Sequence, residues 1–213
     1  FRVPLPEVDE AAVTEADPLE GVATVEAVIP ESDVVIVDDL DEGFEIVDGG
    51  GQSGFRMAAK AQDDVDLDHG LPVREFGGPS RDWCRATSAT AHGRYRHTLA
   101  WVRKGKGETR ARFTGVIFEP GQWELGIHLP HKQRFRIARN WGVWKLAVVQ
   151  GDERYEVDFD AKEAPRGWNL VDSFDLDVGE VTVELSDETT GMIVVADAVR
   201  WTPIARINEG AGQ

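Results

Sequence analysis

Thr109-Arg110-Ala111-Arg112-Phe113-Thr114-Gly115-Val116-Ile117-Phe118, then Glu119-Pro120-Gly121, then Gln122-Trp123-Glu124-Leu125-Gly126-Ile127-His128-Leu129 is the stretch that decides the fold. In the first run Ala111, Phe113, Gly115 and Ile117 share one parity, and arginines occupy the other. In the second, Trp123, Leu125 and Ile127 alternate with polar residues. A period of two places one side of each run in a core and the other in water, which is the pattern of half-buried strands. The Pro-Gly pair between them is a turn, and Pro130 stops the second strand because it lacks a ladder N–H.

The same pattern continues on both sides. Upstream, Tyr95 to Val102 carries Tyr95, His97, Leu99 and Trp101 on one parity, and Lys104-Gly105-Lys106-Gly107 turns the chain. Downstream, Val143 to Gln150 and Arg154 to Phe159 flank Gly151-Asp152, a hairpin turn. Asn169 to Leu176, Val181 to Leu185 and Met192 to Trp201 complete the set, with Asp187 to Gly191 as the last hairpin turn. Nearer the start, Val34-Val35-Ile36-Val37 reads as a buried strand and Phe44-Glu45-Ile46-Val47 as a half-buried one. About eight to ten short strands with turns every 8–12 residues predict an all-β antiparallel sandwich, jelly-roll-like, over residues 34–203.

What lies outside that frame has a different composition. Residues 1–33 hold Glu7, Asp9, Glu10, Glu15, Asp17, Glu20, Glu26 and Glu31 against Arg2, with four prolines, and read as an extended acidic arm or linker. Phe1 begins the chain with no signal-peptide pattern, which points to a processed chain or, better, a piece of a longer one. Residues 48–78 are irregular and rich in Gly and Asp, an insertion in the sandwich, and 204–213 form a tail.

A formal charge of −16 over 213 residues repels phosphate backbones and argues against nucleic acid as a partner. No run approaches the ~20 apolar residues of a membrane helix. The basic group Arg94, Arg96, Arg103, Lys104, Lys106, Arg110 and Arg112, with Lys132, Arg134, Arg136 and Arg139, is either a set of solvated strand edges or an anion-binding face. Cys84 is the only cysteine, so no internal disulfide forms, and a structural thiol is the expectation.

Val34-Val35-Ile36-Val37-Asp38-Asp39 with Gly43-Phe44, His92-Gly93-Arg94-Tyr95, Pro120-Gly121-Gln122-Trp123, Gly167-Trp168-Asn169-Leu170 with Phe174, and Ala196-Asp197-Ala198-Val199-Arg200-Trp201 follow one another in an order that resembles the golvesin C-terminal-like family, also called xanthan-lyase carbohydrate-binding-like. The resemblance runs from Val34 to Trp201, apart from the insertion. It implies a non-catalytic β-sandwich appended to secreted or cell-surface proteins, including lyases and peptidases, with carbohydrate as a suggested ligand. An extracellular, periplasmic or cell-surface location follows from it. Within the shared pattern Asp38, Gly43, Phe44, Trp168, Asn169 and Asp197 are expected to be structural.

Several residues stand out for chemistry. Asp64, Asp66 and Asp68, with Glu75 at the twelfth position, have the oxygen spacing of a calcium loop. His69 occupies the place of the usual glycine and no helices flank it, so a solvated acidic loop is the competing reading. Asp38, Asp39, Asp41 and Glu42 cluster at a strand end, as turn caps or a second calcium site. Asp197, between apolar neighbours, must find partners if it points inward, and the Asp38–Gly43 turn is the expected place. His92 and His97, and His128 and His131, have spacings that do not turn them toward each other, so no zinc site is expected.

Of seven tryptophans, Trp101, Trp123 and Trp201 fall on apolar parities and belong to the core. Trp141 and Trp144 follow a basic stretch beside Asn140 and Gly142. Either one of them forms an exposed platform for a sugar ring, with Arg134 and Arg136 as polar partners, or both pack inside. No hydrolase elbow, phosphate loop, zincin or dinucleotide motif is present. The chain therefore reads as an accessory module needing no cofactor. Its partner would be a polysaccharide, or a protein of a surface assembly met through the arm and the 48–78 insertion.

Overall fold

The computed structural model describes residues 33–48, 70–93, 96–131 and 141–204. They form twelve strands and, among the described residues, no α-helix. In chain order these are β1 (Val35–Asp38), β2 (Phe44–Asp48), β3 (Cys84–Thr87), β4 (Thr98–Arg103), β5 (Thr109–Ile117) and β6 (Gly121–Leu129). They continue with β7 (Val143–Gln150), β8 (Glu153–Asp160), β9 (Gly167–Leu176), β10 (Gly179–Thr189), β11 (Ile193–Ala196) and β12 (Ala198–Pro203). The fold is the expected all-β antiparallel sandwich, built from three sheets. One has the order β1-β12-β6-β9, the second β2-β5-β10-β7-β8 and the third β11-β4-β3.

The alternating run that opens the sequence argument explains the two main layers. β5 and β6 follow each other in sequence, yet β5 lies in the five-stranded sheet and β6 in the four-stranded one. The Pro120-Gly121 turn thus carries the chain across the sandwich. The inward parity of each run fills the core: Ala111, Phe113 and Ile117 from β5, Trp123, Leu125 and Ile127 from β6. The layers approach closely at Gly115, where a Cβ would stand 3.0 Å from Val35 Cγ1 and 3.4 Å from Val37 Cγ2.

Two expectations are corrected, and one strand was not foreseen. Met192 to Trp201 is not one strand: β11 pairs with β4 in the small sheet, and β12 pairs with β1 and β6 in another. The switch falls at Asp197, whose carbonyl accepts the Asp39 N–H at 3.0 Å. Asp187 to Gly191 is not a hairpin turn between paired strands either. β10 runs on through Thr189 with a bulge after Leu185, and Asp187 instead anchors the β4–β5 turn. Its carboxylate accepts Gly107 N–H at 2.6 Å and the Thr109 hydroxyl at 3.0 Å. β3, at Cys84–Thr87, was not foreseen because its Cys-Arg-Ala-Thr sequence shows no alternation and all but its last residue are buried.

Residues 70–78, the end of the segment read as an insertion, pack onto the domain. Arg74 and Arg85 pair along the edge of β3, and Phe76 meets Trp101 edge-on at 5.8 Å. Arg103 donates to the carbonyls of Gly77 and Gly78. This cover, together with the neighbouring strands, buries Thr98 to Val102 on both faces of β4. The arm at 1–32, the residues 49–69 and the tail from 205 lie outside the described residues.

Candidate functional site

The outer face of the four-stranded sheet is assembled by register. Directly opposed residues share a face, so Ile36, Arg200, Gly126 and Leu170 form one cross-strand row. His128 and Trp168 oppose each other in the next. Gly126, without a side chain, makes the low point of this face: a Cβ there would stand 3.6 Å from Trp168 Cε3 and 3.7 Å from Arg200 Nε. The Arg200 guanidinium lies over the Trp168 ring with its carbon 4.7 Å from the centroid, a cation–π contact. Arg200 Nε has no hydrogen-bond partner among the described residues.

His92 arrives from the loop after β3 and closes one end. Its ring centroid is 5.5 Å from that of His128 and 5.2 Å from that of Trp168, and His128 and Trp168 are 5.2 Å apart. All three rings are half-buried. Of the seven tryptophans, the other six are buried, so Trp168 is the one that reaches the surface.

Beneath the rings sits a buried layer of carboxylates. Asp197 is fully buried: one oxygen accepts the His92 backbone N–H at 2.9 Å, and the other shares a proton with His128 Nδ1 at 2.8 Å. Asp39, also fully buried, accepts the Thr98 hydroxyl at 3.1 Å and lies 3.4 Å from the Arg85 guanidinium. Arg85 donates to the Asp39 carbonyl as well, at 2.8 Å. Asp38 accepts the Asp39 N–H at 2.7 Å, and its own N–H is capped by the Asp41 carboxylate at 2.8 Å. This cluster joins the four-stranded and three-stranded sheets where the chain switches at Asp197.

Burial governs its protons. It pushes the Asp39 carboxyl up to about 8, outweighing the attraction of Arg85. Burial also raises Asp38, and raises Asp197 well above the usual carboxylate range. For His92 and His128 burial favours the neutral ring and lowers both, against the pull of Asp38. Among the described residues no group of three His, Cys, Asp or Glu side chains is placed to hold a metal ion.

The residues singled out in sequence separate clearly. Trp141 and Trp144 are both fully buried, their rings 5.3 Å apart, so of the two readings it is packing inside that holds and neither forms a platform. The Trp144 Nε1–H donates to the carbonyls of Trp141 and Ile193, so its one polar atom is satisfied inside the core. Their possible partners Arg134 and Arg136 lie outside the described residues, as do Asp64, Asp66 and Asp68; Glu75 is exposed. Arg110 and Arg112 turn onto Glu184 instead of forming a free anion-binding face; Arg112 binds it at 2.7 Å and Arg154 joins at 2.8 Å.

The six residues of the shared pattern divide. A Cβ on Gly43 would stand 2.2 Å from the Thr114 carbonyl oxygen, and Phe44 packs on Phe113 with centroids 5.0 Å apart. Asn169 donates to the carbonyls of Pro165 and Gly167 and so ties the turn before β9. Asp38 and Asp197 belong to the buried cluster, with the Asp197 carboxylate bound to His92 and His128 and its carbonyl bound to Asp39. Trp168 alone faces outward. Pairwise spacing hid the meeting of His92 with His128, because each comes from a different half of the chain.

The family model of the golvesin C-terminal domain matches residues 79–203. The match begins after β2, so β1 and β2, which complete the sheets here, lie outside it. Among solved structures, a Paenibacillus xanthan lyase is similar at 18% identity and a TM-score of 0.53 over 81% of this chain. The chain corresponds to 13% of that lyase's length. The K1 cleaved adhesin domain of Lys-gingipain from Porphyromonas gingivalis aligns at 13% identity over 81% of this chain and 99% of its own, with a TM-score of 0.40. A Podospora anserina β-(1,4)-mannanase aligns at 13% identity over 79% of this chain and 29% of its own, with a TM-score of 0.39. No curated protein sequence matches the chain.

Proposed function

The chain belongs to the golvesin C-terminal domain family, and from that premise we propose that it is a non-catalytic polysaccharide-binding module of a larger secreted or cell-surface protein. The observation that carries this reading is Trp168: the single tryptophan at the surface stands beside Arg200, His92 and His128 on an open sheet face. An indole presents an apolar surface to the C–H side of a sugar ring, and the imidazoles and guanidinium beside it can bind hydroxyls. The carboxylates that could serve as acid and base lie beneath this surface and are bound to other protein groups, which favours binding over hydrolysis.

The test is isothermal titration of a panel of soluble polysaccharides against the wild type and Trp168→Ala. Truncating a central aromatic anchor costs at least about 2 kcal/mol, or roughly 30-fold in affinity. Binding of a panel member that is lost in Trp168→Ala is the expected result. Equal affinity for the variant, or no binding across the panel, overturns the reading.

A second reading draws support from Ile36 and Leu170, 42% and 60% exposed in the same row as Arg200. Two apolar side chains flanking a guanidinium also suit a protein partner of a surface assembly. Gel filtration with light scattering, comparing Leu170→Glu with wild type in the presence of the host protein, distinguishes the two.

A further inference from the structure

We propose that this face selects polysaccharides bearing carboxylate groups, through Arg166 and Arg200 beside Trp168; the inference rests on the polysaccharide reading above. It follows from how charge is layered. The carboxylates of the region, Asp38, Asp39 and Asp197, are buried and held by protein groups: Asp38 by the Asp39 N–H, Asp39 by Thr98 and the Arg85 guanidinium at 3.4 Å, Asp197 by His92 and His128. The groups facing a ligand around Trp168 are cationic or can become so.

Arg166 is exposed at the turn that leads into β9, two residues before Trp168. It is near enough to His128 to disfavour the imidazolium, as is Arg200. Arg200 is held over Trp168 with its guanidinium carbon 4.7 Å from the ring centroid, and its Nε is buried, which leaves the terminal N–H groups for a ligand. A guanidinium fixed by stacking has lost its rotamer freedom before a ligand arrives, so its N–H groups meet a carboxylate at little further entropic cost. His128 adds to this. Its Nδ1 is taken by Asp197, which leaves Nε2 as the nitrogen a ligand can use.

Two acidic side chains lie near: Asp41 in the turn after β1, where it caps the Asp38 N–H, and Glu124 two residues along β6 from Gly126. Among the described residues neither forms an ion pair with Arg166 or Arg200. Around Trp168 two guanidiniums, those of Arg166 and Arg200, thus stand without an ion-pair partner among the described residues, within a chain whose formal charge is −16.

A carboxylate bound here would stabilise the imidazolium of His128, which faces Asp38, Asp197, His92, Arg166 and Arg200. Binding would then take up a proton, and affinity would rise as pH falls through the imidazole range.

The experiment compares polygalacturonic acid with its fully methyl-esterified form, which keeps the rings and removes the charge. Titrations are run with wild type, Arg166→Ala, Arg200→Met and Trp168→Ala. The expected result is that the acid binds at least about 10-fold more tightly than the ester, a loss of ~1.4 kcal/mol on esterification. Arg166→Ala, on an exposed turn, should remove most of that preference without altering the melting curve. Trp168→Ala should abolish binding of both forms.

Equal affinity for acid and ester, with Trp168→Ala still abolishing binding, overturns the carboxylate preference and leaves the polysaccharide reading standing. A preference for the acid that persists in both arginine variants also overturns it. Failure of both forms and of every other glycan to bind removes the two readings together.

Discussion

Gly43 and the buried acids show how single residues bear on this domain. Gly43 has no room for a side chain: an added Cβ would lie 2.2 Å from the Thr114 carbonyl oxygen, a backbone atom that moves only with β5. Gly43→Ala should therefore lower stability by about 1–3 kcal/mol in urea denaturation, the usual cost of a steric clash in a packed site. The buried acids make stability depend on pH, with a sign that can be worked out. Asp39 titrates at about 8 when folded and near 3.8 when unfolded, so folding takes up protons between those values. Its contribution is present below pH 4 and lost as pH rises to 8, and Asp38 and Asp197 act in the same direction. The lowered His92 and His128 oppose this only below pH 6.5, where the unfolded rings would begin to bind protons. Between pH 6.5 and 8 the melting temperature should fall, and Asp197→Asn, which keeps an acceptor for His92 and a donor for His128, should flatten the slope. A slope unchanged in Asp197→Asn and Asp39→Asn would show that these carboxyls do not titrate as proposed.

At the scale of elements, the turns and crossings are fixed by buried polar side chains more than by exposed pairs. Asp187 holds the β4–β5 turn through two hydrogen bonds to its carboxylate and leaves no space for a Cβ on Gly105. Asp187→Ala should cost about 2–4 kcal/mol, since hydrogen bonds to a charged acceptor contribute roughly 1.5–3 kcal/mol each and the Gly107 N–H would lose its partner. The Lys145–Asp158 pair on the outer face of the other sheet is of comparable length, 2.7 Å, but open to solvent. Asp158→Ala should leave the denaturation midpoint unchanged within error, because water screens exposed pairs. Strands with one wet face were legible from alternation, as in β5, β6 and β7. β3 was not, nor was the break between β11 and β12, because β3 and β11 are buried on both sides and a period of two vanishes there.

For the molecule as a whole, the family match from 79 to 203 is smaller than the folded unit. β1 pairs with β12, β2 pairs with β5, and together they bring Val37 and Phe44 into the core and Asp39 into the buried carboxylate cluster. A chain beginning at residue 79 should lose its cooperative thermal transition in calorimetry, since it leaves the pairing edges of β12 and β5 open and Arg85 buried without Asp39. A sharp transition in that fragment would show the first two strands to be dispensable. The sequence by itself determined the all-β class, the family and the core placement of Trp101, Trp123 and Trp201, because these depend on local alternation, on turn residues and on short ordered motifs. Only the tertiary structure decided that Trp141 and Trp144 pack inside while Trp168 reaches the surface. It alone brought His92 and His128 together over Asp197 and broke residues 192–201 between two sheets. The reason is physical: a strand's parity sets which side chains share a face, but which face is covered depends on strands and loops distant in sequence.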